Sequence, residues 1–249
     1  MKVILILLFI QASVLANHKS LCKEDNRKLS FDSKIARIRS SAKSMHPCTA
    51  TLISESCLIT AGHCYEEGQE TGLIEFDVPL SDSDTGKLMP SLEENSFSLK
   101  KIFGRKNAHH GKDWMVFSVN PNEVTGLNPG QERGFYEVET ESVTKLSMLT
   151  VTGYGLTASD EKRNVQQSSH GDLLATDQKK KTIQHKVDTT AGNSGSAIIE
   201  NLTNRIIGIH THGGCRKINT DTWQGNIGTL IVGNIELIDA IKKCINNKD

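Results

Sequence analysis

The 249 residues carry 29 Lys and Arg against 29 Asp and Glu, so the formal net charge is zero and no global field draws the chain to nucleic acid or a membrane surface. The length allows a full core in one or two domains. Six cysteines with no Cys-x-x-Cys pair exclude a zinc ribbon or a thioredoxin-like redox motif and point to disulfides in an exported chain.

In chain order, Met1-Lys2 is a short basic start and residues 3–10 form an apolar run too short to span a bilayer. Val14-Leu15-Ala16 places small residues at a cleavage site, so residues 1–16 read as a signal peptide cut after Ala16. The mature chain is expected to be secreted, to the extracellular space or the periplasm, and free of the membrane once the signal is removed. Residues 17–31 form a polar arm. Strands are expected over residues 34–39, 48–53, 57–60, 73–76, 97–103 and 114–119. In residues 34–39 the alternation is poor, because Arg37 and Arg39 share a face with Ile35. Residues 121–133, with Asn, Pro and Gly, connect two halves. In the second half strands are expected over residues 134–138, 147–153, 181–187, 197–200, 205–211 and 228–232, and residues 155–174 read as a polar loop. Lys179-Lys180-Lys181 reads as a solvated loop. Ile235, Leu237, Ile238, Ile241 and Ile245 have helical spacing. Many short strands and one terminal helix indicate an all-β barrel protein.

The chemistry concentrates in Thr189-Thr190-Ala191-Gly192-Asn193-Ser194-Gly195-Ser196. A serine between glycines, followed by apolar Ala197, Ile198 and Ile199, reads as a tight turn that delivers a hydroxyl and leads into a buried strand. Such a turn can aim the N–H groups of Gly192 and Ser194 at one point, as a developing oxyanion requires. His63 follows the strand 57–60 and a glycine, where the chain leaves the sheet. Asp113 stands at the mouth of the strand 114–119, where a carboxylate needs a hydrogen-bond partner to offset its desolvation. A histidine N–H would supply it and fix the tautomer of a general base.

Cys48-Thr-Ala-Thr-Leu-Ile, Leu58-Ile-Thr-Ala-Gly-His63-Cys64, Asp113-Trp-Met-Val-Phe, Gly192-Asn-Ser194-Gly-Ser and Gly208-Ile-His-Thr-His-Gly-Gly214 together resemble trypsin-like serine peptidases of the chymotrypsin fold. Asn-Ser-Gly-Ser, Gly-Ile-His and the arm Lys23-Glu24-Asp25-Asn26-Arg27 are similar to the bacterial glutamyl endopeptidase branch. The resemblance implies an all-β fold of two six-stranded antiparallel Greek-key barrels with a C-terminal α-helix. The first barrel would cover about 30–125, the second about 134–232 and the helix about 234–246. It implies a catalytic triad of His63, Asp113 and Ser194, an oxyanion hole at Gly192 and Ser194, and a Thr211 hydroxyl supporting the aspartate. Backbone at Thr211 and Gly213 would pair with substrate as an added strand. Asn193 replaces the aspartate that pairs with a freed N-terminus in the digestive enzymes, so that activation device is not expected.

Specificity stays open between two readings. His210 and Thr189 match the positions that bind a substrate carboxylate in the glutamyl branch. Asp188 falls where trypsin-like enzymes place the carboxylate that binds Lys or Arg. Acidic substrates are favoured, because His210 would crowd the route to a deep pocket; a catalytically silent, binding-only homologue is the reading from another class. By the family pattern Cys48 pairs with Cys64, and Cys57, at a position that faces the terminal helix in relatives, pairs with Cys244. Cys22 and Cys215 are left as the third pair. No cofactor and no metal are expected; the partners are polypeptide substrates and not nucleic acid, and the protein is expected to be a monomer.

Overall fold

The computed structural model describes residues 20–22, 24–40, 47–65, 72–145, 147–157 and 159–247. The signal segment, residues 1–16, lies outside these. Strand β1 (Lys28–Leu29) belongs to the arm. The first half contributes β2 (Ile35–Arg39), β3 (Cys48–Leu52), β4 (Cys57–Thr60), β5 (Leu73–Glu75), β6 (Ser96–Asn107) and β7 (Asp113–Val119). These close into a barrel in the order β2-β3-β4-β7-β6-β5. A short helix α1 (Pro129–Arg133), with Asn128 and Gln131 forming a reciprocal cap, lies in the connection. The second half contributes β8 (Met148–Gly153), β9 (Gln167–Asp177), β10 (Thr182–His185), β11 (Ala197–Glu200) and β12 (Arg205–His212). It continues with a small ladder of β13 (Arg216–Lys217) and β14 (Trp223–Gln224), then β15 (Asn226–Leu230). The order β9-β10-β15-β12-β11-β8 closes through β8–β9 pairing, with β1 added to β9. Both barrels have six strands, all antiparallel.

Helix α2 (Ile235–Ile245) ends the described fold. Its buried face is Leu237, Ala240, Ile241 and Cys244, while Ile235 and Ile245 are exposed. That face packs with Ile59 and Trp114 of the first barrel and with Ile206 and Ile231 of the second, so one helix joins both cores. The Cys57–Cys244 disulfide fastens it to β4, and Cys48–Cys64 and Cys22–Cys215 are the other two bridges. Each restricts the unfolded chain, an effect of about 2–4 kcal/mol.

Two expectations change. Residues 134–138 form no strand; only Val138 makes an isolated bridge, to Ile206. The polar stretch expected as loop instead contains β9, whose residues are polar because much of its face is open to solvent. In β2 the poor alternation has a physical cause. Ala36 and Ile38 enter the barrel core, while Arg37 and Arg39 on the other face are buried against Glu75 at 2.9 and 2.7 Å. Arg37 also donates to the carbonyl of Met89, and the backbone of Ser91 donates to Glu75. Burial pushes the Glu75 carboxyl up, but the Arg39 hydrogen bond and the Arg37 charge outweigh it and hold the group below its usual range.

Glu75→Gln should therefore lower unfolding free energy by about 3–5 kcal/mol, because it leaves two buried guanidinium groups without a carboxylate. The stabilisation is present above the unfolded carboxyl value, about 4.3, and is lost as pH falls through the lower folded value. Urea titrations against pH should give a flatter acid limb for the variant; an unchanged midpoint and limb would show that the Arg37–Glu75–Arg39 cluster does not stabilise the fold.

Candidate active site

The cleft between the barrels collects groups from both. A 3₁₀ turn, Gly62–Cys64, follows β4 and carries His63. Arg105 of β6 donates to the carbonyl of Gly62 at 2.8 Å, and the Cys48–Cys64 bridge ties the turn to β3. Asp113 opens β7 and is 1% exposed. Its Oδ2 lies 2.6 Å from His63 Nδ1, and its Oδ1 accepts the backbone N–H of His63 at 3.0 Å. A carboxylate so engaged fixes the ring twice, by backbone and by side chain, and holds the proton on Nδ1, which leaves Nε2 as the acceptor.

Ser194 arrives from the second barrel on the turn before β11. Its carbonyl accepts the N–H of Thr49 at 2.8 Å, and Gly195 donates to the carbonyl of His210 at 2.8 Å. Glycine is required here: Gly192 has φ +104° and Gly195 φ +87°, and a β-carbon at Gly195 would lie 2.1 Å from Thr60 Oγ1. Thr49 also donates from its hydroxyl to the carbonyl of Gly192 at 2.9 Å and accepts the N–H of Tyr154 at 3.0 Å. The turn that carries Ser194 is thus seated on β3. Asn193 is buried, its side-chain oxygen accepts the N–H of Thr190, and its own N–H donates to the Thr190 carbonyl. The turn is locked by a neutral amide.

The N–H groups of Asn193, Gly195 and Ser196 all donate within the fold. Among the described residues, those of Gly192 and Ser194 donate to nothing, and no hydrogen bond joins the Ser194 hydroxyl to His63. Two free donors beside a half-buried serine are the arrangement that can stabilise an oxyanion.

Thr211 does not support the aspartate. Its hydroxyl lies 3.2 Å from the carbonyl of Ile227 and 2.8 Å from His212 Nδ1. His212 Nδ1 lies 4.0 Å from Asp113 Oδ2. The competition is decided by register: a bulge between His210 and His212 turns the Thr211 side chain toward β15.

Asp188 is buried, and both its oxygens face the arm. Oδ1 accepts the N–H of Cys22 at 2.7 Å and Oδ2 that of Asn26 at 3.1 Å. Asn226, which the sequence reading missed, organises the same wall. Its amide donates to the carbonyls of Ser20 and Val187 at 2.7 and 2.8 Å, and its oxygen accepts the N–H groups of Gly214 and Cys215, each at 3.0 Å. Every hydrogen-bonding site of that amide is used. Ser20 also packs on Gly213, and its carbonyl accepts the N–H of Thr189 at 3.2 Å. The arm is therefore seated against Asp188, Thr189 and Gly213, and Cys22–Cys215 holds it there. Asn226 follows Gly225 and opens β15, and its partners Ser20, Val187, Gly214 and Cys215 lie 11 to 206 residues away, so no local signal marked it.

His210 is buried and its Nδ1 lies 3.2 Å from Nε2 of buried His185. His185 Nδ1 accepts the N–H of Val187, also at 3.2 Å. Burial pushes His185 down to about 3 and His210 well below the usual histidine range, so both are neutral near pH 7. The proton order follows: His185 Nδ1 is bare, its Nε2–H donates to His210 Nδ1, and His210 Nε2 keeps a proton to offer. The Thr189 hydroxyl is buried without a partner among the described residues.

A serine with two backbone donors, an imidazole and a carboxylate bonded to it thus meet where two six-stranded barrels join, an arrangement compatible with a serine endopeptidase. The family comparison agrees: the trypsin family model matches residues 27–225, and the chain belongs to that family. Among solved structures it is similar to a Glu endopeptidase, with TM-score 0.65 and 18% identity over 91% of this chain and 100% of that one. It is also similar to a thermostable serine protease from an extremophilic microorganism, with TM-score 0.63 and 14% identity over 87% and 99% of the two chains. A third similar structure is the protease Anisep from Arthrobacter nicotinovorans, with TM-score 0.61 and 14% identity over 85% and 96%. No curated protein matches the sequence. Among the described residues no helix is long and apolar enough to cross a membrane.

Proposed function

We propose that the protein is a secreted, monomeric serine endopeptidase that cleaves after acidic residues. Ser194 Oγ attacks the scissile carbonyl as His63 Nε2 takes its proton. Asp113 orients His63 and stabilises the imidazolium. The N–H groups of Gly192 and Ser194 receive the oxyanion. His63 then protonates the leaving amine, and water repeats the sequence on the acyl-enzyme. The hydroxyl rotates onto His63 as substrate seats, since catalytic hydrogen bonds tighten on binding. Substrate pairs with Thr211 and Gly213 as an added strand. Export is supported by the leader in the sequence and by the three disulfides.

The observation that supports the acidic preference is the directed proton order from Val187 through His185 to His210, which leaves His210 Nε2 a donor, together with the buried, unpartnered hydroxyl of Thr189. A substrate carboxylate is the acceptor such a pair lacks. Asp188 is buried, and each of its oxygens is turned to an N–H group of the arm, which stands where a lysine or arginine side chain would have to reach it.

Digestion of a denatured protein mixture, with Ser194→Ala as control and cut sites mapped by mass spectrometry, tests the reading. Cuts after Glu or Asp are expected; cuts after Lys or Arg would return the pocket to Asp188, and none beyond the control would leave a silent homologue. His210→Phe should lower kcat/KM for an acidic P1 residue by about 10–100-fold, the worth of one hydrogen bond to a charged group. Unchanged selectivity in that variant would remove His210 from the pocket.

A further inference from the structure

Two hairpins, one from each barrel, meet beside the catalytic cleft. The β6–β7 turn presents His109, His110 and Lys112, and the β9–β10 turn presents Lys179, Lys180 and Lys181. They touch where Gly111 packs on the carbonyls of Lys180 and Lys181. Between them lies a groove of about 700 Å³. Its lining holds four lysines and one carboxylate, Asp177. That carboxylate is engaged within its own turn, accepting the N–H of Lys180 at 2.9 Å and lying 3.8 Å from its ammonium. Lys112, Lys179 and Lys180 are exposed. In a chain of zero net charge this is a local concentration of positive charge and not a general field.

The groove is continuous with the reaction centre. His110 stacks edge-on against His212 at 4.7 Å between centroids, and His212 stands 6.0 Å from His63. Ile227, whose carbonyl holds the Thr211 hydroxyl, lines its inner end. A substrate strand paired along Thr211–Gly213, with P1 at His210, carries the residues before P1 past His212 and into this opening.

We propose that the groove is a subsite for an acidic stretch of polypeptide on the N-terminal side of the scissile bond. It rests on the strand-addition reading above. The exposed ammonium groups of Lys112, Lys179 and Lys180, against the single carboxylate of Asp177, match carboxylates spaced along an extended chain, and the contact of His110 with His212 beside His63 favours a substrate segment over a separate polyanion.

The test compares peptides with one common P1 residue and acidic, neutral or basic residues at P3–P5, together with a short substrate ending at P2. Acidic P3–P5 should raise kcat/KM by about tenfold over neutral, the product of two or three exposed ion pairs. The gain should vanish in 0.5 M salt, where the screening length falls to about 4 Å. The variant K112Q/K179Q/K180Q should lose the gain and keep full activity on the short substrate; K112R/K179R/K180R should keep both. No gain in the wild type, a gain that survives in the glutamine variant, or an equal gain from acidic residues after the scissile bond would overturn the subsite. Fluorescence anisotropy of a labelled Glu-rich hexapeptide on Ser194→Ala protein reads the groove without catalysis. Failure to cleave the short substrate thus counts against the proposed function, and absent or lysine-independent peptide binding counts against the groove. Tighter binding of a heparin oligosaccharide than of the peptide would also overturn it.

Discussion

Ser194→Ala is expected to lower kcat by about 10⁶, leaving only the residual rate that the oxyanion donors and substrate binding supply. The turn should survive the substitution. Its anchors are backbone groups, the Ser194 carbonyl on Thr49 N–H and the Gly195 N–H on the His210 carbonyl, and the hydroxyl makes no hydrogen bond among the described residues. Loss of rate should therefore come with an unchanged melting temperature, read by calorimetry beside a chromogenic assay. A fluorophosphonate probe should label the wild type at Ser194 and leave the variant unlabelled. Hydrolysis at the wild-type rate in the variant would place the nucleophile elsewhere.

Asp113→Asn is expected to cost about 10⁴ in kcat with little change in geometry. The reason lies in the two contacts that Asp113 makes. The backbone N–H of His63 needs an acceptor, so the asparagine oxygen takes the position of Oδ1, 3.0 Å from it in the native protein. The amide NH₂ then faces His63 Nδ1, across a contact of 2.6 Å, and forces that nitrogen to accept. Neutral His63 must then carry its proton on Nε2, where it cannot take one from Ser194. NMR of the imidazole protons should report the switched tautomer. A variant with native activity would separate Asp113 from the mechanism and leave it a structural anchor of the 3₁₀ turn.

Hydrophobic run length and turn residues made most strands of both barrels legible, because a strand's pattern and its bounding turns are local properties. Residues 197–200, bounded by the nucleophile turn, coincide with β11. The failures are where burial is decided by distant chain. Residues 155–174 read as loop because β9 is polar, yet β9 pairs with both β8 and β10 and closes the second barrel. Residues 134–138 have a strand-like composition but make only isolated contacts with the sheets, Tyr136 N–H to the Leu52 carbonyl and the bridge of Val138 to Ile206. Arg37 and Arg39 broke the alternation of β2, and only the arrival of Glu75 from β5 makes their burial tolerable.

By itself the sequence determined the chemistry that needs particular residue types in particular local settings: a serine in a glycine turn, a histidine after a strand, an aspartate at a strand mouth, and six cysteines in a chain with an export leader. Tertiary structure decided what each group faces. It turned the Thr211 hydroxyl to Ile227, bound Asp188 to the arm, brought His185 behind His210 and filled all four hydrogen-bonding positions of Asn226. The physical reason is that a polar side chain's role depends on which partner reaches it first in a desolvated space, and those partners lie far along the chain, as Cys22 does from Asp188.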